Sequence, residues 1–353
     1  MFSRTIWSVA ELTKCCMPVL SYQCRSPLSH ARIQCRRSFQ SARRGRRSGQ
    51  ADPLEHLTIE GGPLNIKGLV KPFFFAVGVS TVSLTGCVIW EYENLRRHTA
   101  ALLKKPGTWL SAQQRKVLAH FTCNLLQKSE PGPLKKWWNS LKESEKVFYP
   151  ILAANLLVFG AWRVRALQPI MVKYFCSNPA GSAICLPMLL STFSHYSFLH
   201  LAANMYVLYS FMPAAVASLG KEQFVAMYLS AGVISSLSSL LYKVALNQPG
   251  LSLGASGSIM AVLAYVCVQY PDTRLSIIFL PMYTFAAGTA IKAVMSVDLA
   301  GVLLGWKFFD HAAHLGGGLF GIAWCYWGGS HIWGKRDKFL QYYHALRKPD
   351  SGR

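Results

Sequence analysis

Ser256, set between glycines in Gly254-Ala255-Ser256-Gly257, and His314, in Ala313-His314-Leu315-Gly316-Gly317, have the types and settings to do chemistry together. A serine hydroxyl is too weakly acidic to attack a carbonyl unaided. A neutral imidazole beside it can take the proton and later hand it to a leaving amine. Gly254 and Gly257 leave backbone uncovered around the hydroxyl, so a substrate chain can come close. His200 and Asn204, four residues apart, can offer a ring N–H and a side-chain amide to a developing oxyanion, and the backbone N–H of Ser256 is a third donor. Gly316, Gly317, Gly318 and Gly321 are the small residues by which membrane helices pack closely.

Each of these residues also has a bland reading. Gly-x-Ser-Gly recurs at helix starts without chemistry, and a His/Asn pair at i, i+4 is also what an interhelical hydrogen bond needs. That pair could be half of a metal site, but no nearby carboxylate or cysteine completes a ligand set, so neither a metal nor a cofactor is expected. Asp310, four residues before His314, could orient it as a triad acid would; a helix cap at the water interface is the better fit. His195 and His311 read as interfacial. His314 is preferred to His311 because it lies deeper and directly precedes the glycine run.

The elements that must position these residues follow from the gaps between charges. The chain has 353 residues, 52% hydrophobic and 15% charged, with a net charge of +22. That balance excludes an ordinary soluble domain and a disordered chain, and points to a membrane protein. Pro72–Trp90 is uncharged between Lys71 and Glu91 and long enough to cross a bilayer. Val147–Trp162 is a second uncharged run. Tyr174–Gly220 carries no formal charge but is broken by Pro179-Ala180-Gly181 and Pro187, which predicts a membrane-lying or re-entrant loop over about 166–194 and then a helix from about Tyr196 to Leu219. Gln223–Tyr242, Gly254–Tyr270, Leu275–Ile291 and His311–Trp327 complete an all-α polytopic membrane protein of one helix followed by six. No internal repeat is evident, so a transporter built from inverted halves lacks its sequence support. A channel would also need charges along a path, and only Lys292, Asp298 and Asp310 qualify.

Parity joins the motifs. The second, fourth and sixth helices of the block must begin on one face, so His200 with Asn204, Ser256 and His314 fall on the order of 5–10 Å below it. Before the helices, residues 1–50 hold ten Lys or Arg against Glu11 alone and are rich in serine, the composition of a mitochondrial presequence. A basic nucleic-acid arm is the rival, but no nucleic-acid fold follows it. The expected division is 1–50 presequence, 51–69 linker, 70–92 leading transmembrane helix, 93–146 polar basic insert, 147–330 six-helix core and 331–353 basic tail. The ten cysteines show neither paired metal spacing nor a disulfide framework, and are read as non-functional.

Taken together, Gly254-Ala255-Ser256-Gly257, Ala313-His314-Leu315-Gly316-Gly317 and His200 to Asn204 resemble the rhomboid family's nucleophile, base and oxyanion motifs. The leading helix and stretches such as Phe175–Ser194 and Leu303–Gly317 are similar to the family's mitochondrial members. The resemblance implies a rhomboid-like bundle with one extra helix and a multi-pass serine protease of the mitochondrial inner membrane. Ser256 would be its nucleophile and His314 its general base and acid. It would cleave single-span inner-membrane proteins of quality control and apoptosis. Its partners would be transmembrane substrates and the bilayer, with no nucleic acid. The alternative is a catalytically inactive membrane-protein binder on the same scaffold, although such relatives usually lose the serine and histidine. Two features depart from the family pattern. Trp162-Arg163 lies earlier than the Trp-Arg many rhomboids carry before the second helix. Met260 stands where many place a tyrosine to stack on the histidine. If the amino terminus stays in the matrix, the starts of the second, fourth and sixth helices face the matrix, with the basic insert outside, against the positive-inside bias.

Overall fold

The computed structural model describes residues 66–103, 132–277 and 280–347; the presequence and residues 104–131 of the insert lie outside the described residues. A short 3-10 turn leads into α1 (Val70–Leu103). After the insert come α2 (Pro133–Ser140), α3 (Glu143–Ala161), α4 (Gln168–Phe175) and α5 (Cys185–Leu190). Then follow α6 (Phe198–Leu219), α7 (Lys221–Ala245), α8 (Ser256–Gln269), strands β1 (Arg274–Ile277) and β2 (Leu280–Ala286), α9 (Ala287–Leu304) and α10 (His311–Ala323). The last of these runs on as a π-helical stretch, Trp324–Ile332, before α11 (Asp337–Arg347).

Among the described residues, α1 with its lead turn, α6, α7 and α9 are long and apolar enough to cross a membrane, and α3 with Arg165–Phe175 is a further candidate bent by 98°. Glu145 starts α3 by accepting from the backbone N–H of Lys142, and the run of apolar residues after Lys146 carries it into the bilayer. With 14 residues, α8 rises only about 21 Å against about 30 Å of hydrocarbon. A helix that short, reaching one face, begins inside the bilayer. Its first residue is Ser256.

The centre of the bundle is α7, buried over 61% of its apolar window and packed on by α1, α8 and α10. Its contact face is built of small residues. A Cβ on Gly232 would press within 2.6 Å of Thr192 and 2.9 Å of Ser258, and Ser258 donates across to the Tyr228 carbonyl at 2.9 Å. Between α8 and α10 even a methyl is too large. The space beside Gly317 is occupied by the Gly257 carbonyl, and that beside Gly321 by the Ala261 carbonyl. Helices in lipid gain no hydrophobic drive from meeting one another, so close packing of small residues has to hold them. The leading half of α1 closes a second apolar cluster, Ala76 with Met188, Val233 and Leu240, at the end of the bundle where α8 begins. Its other end is held by Asn94 donating to Glu222 at 2.7 Å and by Arg336 on Glu91 at 2.7 and 3.0 Å.

One expected helix is corrected. Leu275–Ile291 is not a single helix: β1 and β2 form an antiparallel hairpin, pairing Leu275 with Phe285 and Ser276 with Thr284, and α9 starts only at Ala287. A short uncharged run does not distinguish a strand from a helix by its lack of charge. Pro281, which a central strand could not hold, is tolerated in a two-stranded ribbon. The leading helix also continues past residue 92, to Leu103.

Gly321→Ala should lower the thermal midpoint of the detergent-purified protein, by roughly 1–3 kcal/mol of overpacking. Gly78→Ala, on α1 with nothing within 4 Å of the added carbon, should leave it unchanged or slightly raised. Equal midpoints for the two variants would contradict the close contact.

Candidate active site

The segment before α6 is anchored from α3. Trp162, buried at the end of that helix, donates its indole N–H to the Ser194 hydroxyl at 2.9 Å. Arg163 donates to the Tyr196 carbonyl at 2.5 Å and stacks over Phe159 and Tyr196. Trp162-Arg163 is early in the chain yet adjacent in space to the loop that delivers His200. His195 in that loop is fully buried, which corrects the interfacial reading. Its ring lies 4.9 Å from that of His200, and the Ala255 N–H approaches its Nε2 at 3.4 Å.

The chain reaches Ser256 through an extended stretch. Ser177 and Ser252 exchange backbone hydrogen bonds at 2.8 and 2.9 Å, and Gly254 N–H donates to the Ser191 carbonyl at 2.9 Å. Gly254 then adopts φ +128°, in the region that favours glycine, and the position of a Cβ there lies 2.9 Å from the His200 ring. Any side chain at 254 would displace that imidazole. One turn beyond His200 on α6, Asn204 is buried, and its amide donates to the His200 carbonyl at 2.9 Å. That bond uses one of the two amide hydrogens and leaves the other.

Asp310 starts α10 as its N-cap, accepting from Ala313 N–H at 3.0 Å. One turn along, His314 places Nε2 at 2.9 Å from Ser256 Oγ. Ser256, His200 and His314 are all partly open to solvent, while Gly257 and Gly317 behind them are buried.

Three neighbours of His314 were not legible as site residues. Asp298 on α9, 4% exposed, has its Oδ1 at 3.3 Å from His314 Nδ1 and 2.7 Å from His311 Nδ1. His311 is therefore buried against that carboxylate, not interfacial. Phe309 lies tilted against His314 at 6.0 Å between centroids, on the ring that a tyrosine at 260 would have covered; Met260 is buried nearer Gly318. The available signal was Asp298 itself, an acid inside an apolar helix. Among the described residues, no group of three or more His, Cys, Asp or Glu is placed to hold a metal ion.

The chain also matches known proteins. Residues 185–330 match the Rhomboid domain family model. The chain is 46% identical over 317 residues to a Bos taurus protein named presenilin-associated rhomboid-like protein, mitochondrial, covering 90% of this chain and 82% of that protein. The Homo sapiens protein of the same name is 47% identical over 303 residues, 86% of this chain and 78% of its own length. Rhomboid protein 1, mitochondrial, of Saccharomyces cerevisiae is 32% identical over 199 residues, 56% of this chain and 57% of its own.

Asp310 faces Lys243 at 3.3 Å and the hydroxyls of Ser239, at 2.5 Å, and Ser252. Burial alone would raise its carboxyl; Lys243, the two hydroxyls and the Ala313 N–H outweigh burial and hold it down at about 2, from 3.8. A carboxyl depressed in the folded state stabilises it above the unfolded value and loses that contribution as pH falls through the folded one. Asp310→Asn should therefore cost roughly 1–2 kcal/mol near neutral pH, discounted because the side chain is 21% exposed. In thermal melts the gap from wild type should close between about pH 4 and pH 2. A gap independent of pH over that window would show that the ionised carboxyl is not what holds the helix start.

Proposed function

Because the chain belongs to the rhomboid family, we propose that it is an intramembrane serine endopeptidase whose nucleophile is Ser256 and whose general base and acid is His314. It is a multi-pass mitochondrial membrane protein, and the inner membrane is the proposed site of action. The observation that carries the reading is the 2.9 Å contact of Ser256 Oγ with His314 Nε2, made between two helices at the start of a helix too short to span.

The chemistry follows from that contact. As Ser256 Oγ attacks a scissile carbonyl, its proton passes to His314 Nε2 and the carbonyl oxygen takes up negative charge. Donors fixed beforehand stabilise that charge: the Ser256 backbone N–H, the remaining amide hydrogen of Asn204, and His200 where its ring borders Gly254. His314 then gives its proton to the leaving amine as the C–N bond breaks. Water, deprotonated by the same imidazole, releases the acyl group. The substrates proposed are transmembrane segments of single-span inner-membrane proteins, which can reach a serine set below the membrane surface only by unwinding locally.

In proteoliposomes with a transmembrane substrate, Ser256→Ala and His314→Ala should each lower turnover by about 10³-fold or more. Both variants should accumulate in the membrane as wild type does. A fluorophosphonate probe should label wild type and not Ser256→Ala. Undiminished turnover in either variant, or labelling that survives loss of Ser256, would sink the assignment.

A further inference from the structure

His314 makes two contacts, and the proposed function uses only one of them. If Ser256 donates to Nε2, that nitrogen carries a lone pair, so the ring proton sits on Nδ1. Nδ1 lies 3.3 Å from Asp298 Oδ1. The imidazole thus lies between a hydroxyl it is hydrogen-bonded to and a buried carboxylate within ion-pair distance.

The surroundings of Asp298 are shaped to keep that carboxylate in place. His311, one turn before His314 on α10, donates from Nδ1 to the same Oδ1 at 2.7 Å. Its ring fills a notch on α9 at Gly301, one turn beyond Asp298, where any Cβ would strike the imidazole. Trp306, Phe308 and Phe309 surround the His311 ring with centroids 5.0 to 5.9 Å away, and its Nε2 has no hydrogen-bond partner. A carboxylate gripped by a histidine that is itself wedged between a glycine and three aromatic rings has little freedom. The other acid near the site is engaged elsewhere, since Asp310 caps α10 and pairs with Lys243.

We propose that Asp298 is a positioning residue for His314, and that His311 holds Asp298 in line. The role rests on the protease reading above. Asp298 faces Nδ1 at 3.3 Å, which favours the proton there and so the tautomer whose Nε2 is free to take the Ser256 proton. When that transfer makes His314 an imidazolium, the carboxylate faces its new charge without taking the proton itself. The dyad is in effect a Ser–His–Asp arrangement, its acid supplied by α9.

The test uses the full-length protein in proteoliposomes, with rates normalised to the folded, monodisperse fraction. Asp298→Asn should lower kcat by about 10²–10⁴-fold with KM little changed, because an amide can hold the wrong tautomer. The acid limb of kcat/KM should move to lower pH, since the imidazolium has lost its counter-charge. The other ionisable groups around His314 (His200 from α6, His311 on its own helix, and Asp310 with Lys243 where α10 meets α7) are the same in both proteins. Asp298→Glu keeps the charge and should recover part of kcat. His311→Asn should reduce kcat less than Asp298→Asn does. If Asp298 serves only as a structural partner of His311, both Asn variants will lose thermal stability alike and keep the wild-type pH profile per folded molecule; that overturns the proposal. Should Asp298→Asn fail to accumulate, Asp298→Glu decides: wild-type kcat and profile in a folded Glu variant overturn it, and a lower kcat at unchanged KM supports it. Wild-type protein that neither cleaves nor takes up the fluorophosphonate probe would instead remove the protease reading.

Discussion

Two helix backbones, α8 and α10, meet with no side chain between them, because Gly317 lies against the Gly257 carbonyl and Gly321 against that of Ala261. Gly257 adjoins Ser256, and Gly317 follows His314 by one turn, so the contact is level with both side chains. A hydrogen bond of 2.9 Å between a short serine and a histidine on different helices needs their axes closer than ordinary side chains allow. The glycines set that separation, and the Ser–His distance is its consequence. The same contact ties the two helices along their length, so the geometry at the top does not depend on the loops alone.

The rest of the bundle can be understood as support for that approach in a solvent that supplies no hydrogen bonds. Serines on α7 are the filler on the third side. Ser235 and Ser238 donate to their own helix at Gly232 and Ile234, 3.0 Å each, which satisfies the hydroxyl while keeping the side chain small enough to face Gly257 and Gly316. Ser236 of α7 donates across to the Met188 carbonyl of α5, and Ser258 of α8 to the Tyr228 carbonyl of α7, which joins α7 to both. A leucine at these positions would push α7 off the pair, and an alanine would leave the cross-links unmade. Small and polar is the combination that packs closely and still binds.

How much of this could be read from the chain varied by residue. Ser256, His314, His200 and Asn204 were legible as candidates because each sits near a helix start, and parity assigns those starts to one face. The order of apolar segments was legible because charges are scarce enough to mark their ends. The hairpin at 274–286 was not, since after Arg274 its strands run uncharged and apolar as a membrane helix would. Nor were His195 and His311 legible as buried residues, because a histidine near a helix start looks interfacial until the loop over it is known. Asp298 was visible only as a misplaced charge. Its partner lies beyond the turn at Gly305 and the Trp306–Phe309 loop, and no spacing rule connects the end of one helix to the start of the next.

A histidine in the second turn of a helix is displaced by any movement of that helix, and α10 is restrained in three independent ways. Its approach to α8 is set by backbone contact at Gly317 and Gly321. Its position along the axis is set at the first turn, where Asp310 both caps the helix and ties it to Ser239 and Lys243 of α7. Its rotation is set by His311, whose ring is lodged in the Gly301 notch of α9. Turning α10 by one residue, about 100°, would withdraw His311 from the notch and His314 from Ser256 together. The glycine contacts and His311 are buried, whereas the side chains of Asp310 and His314 keep 21% and 17% of their surface open. The residue proposed to meet water and substrate thus keeps part of its ring open while its helix is held by α7, α8 and α9.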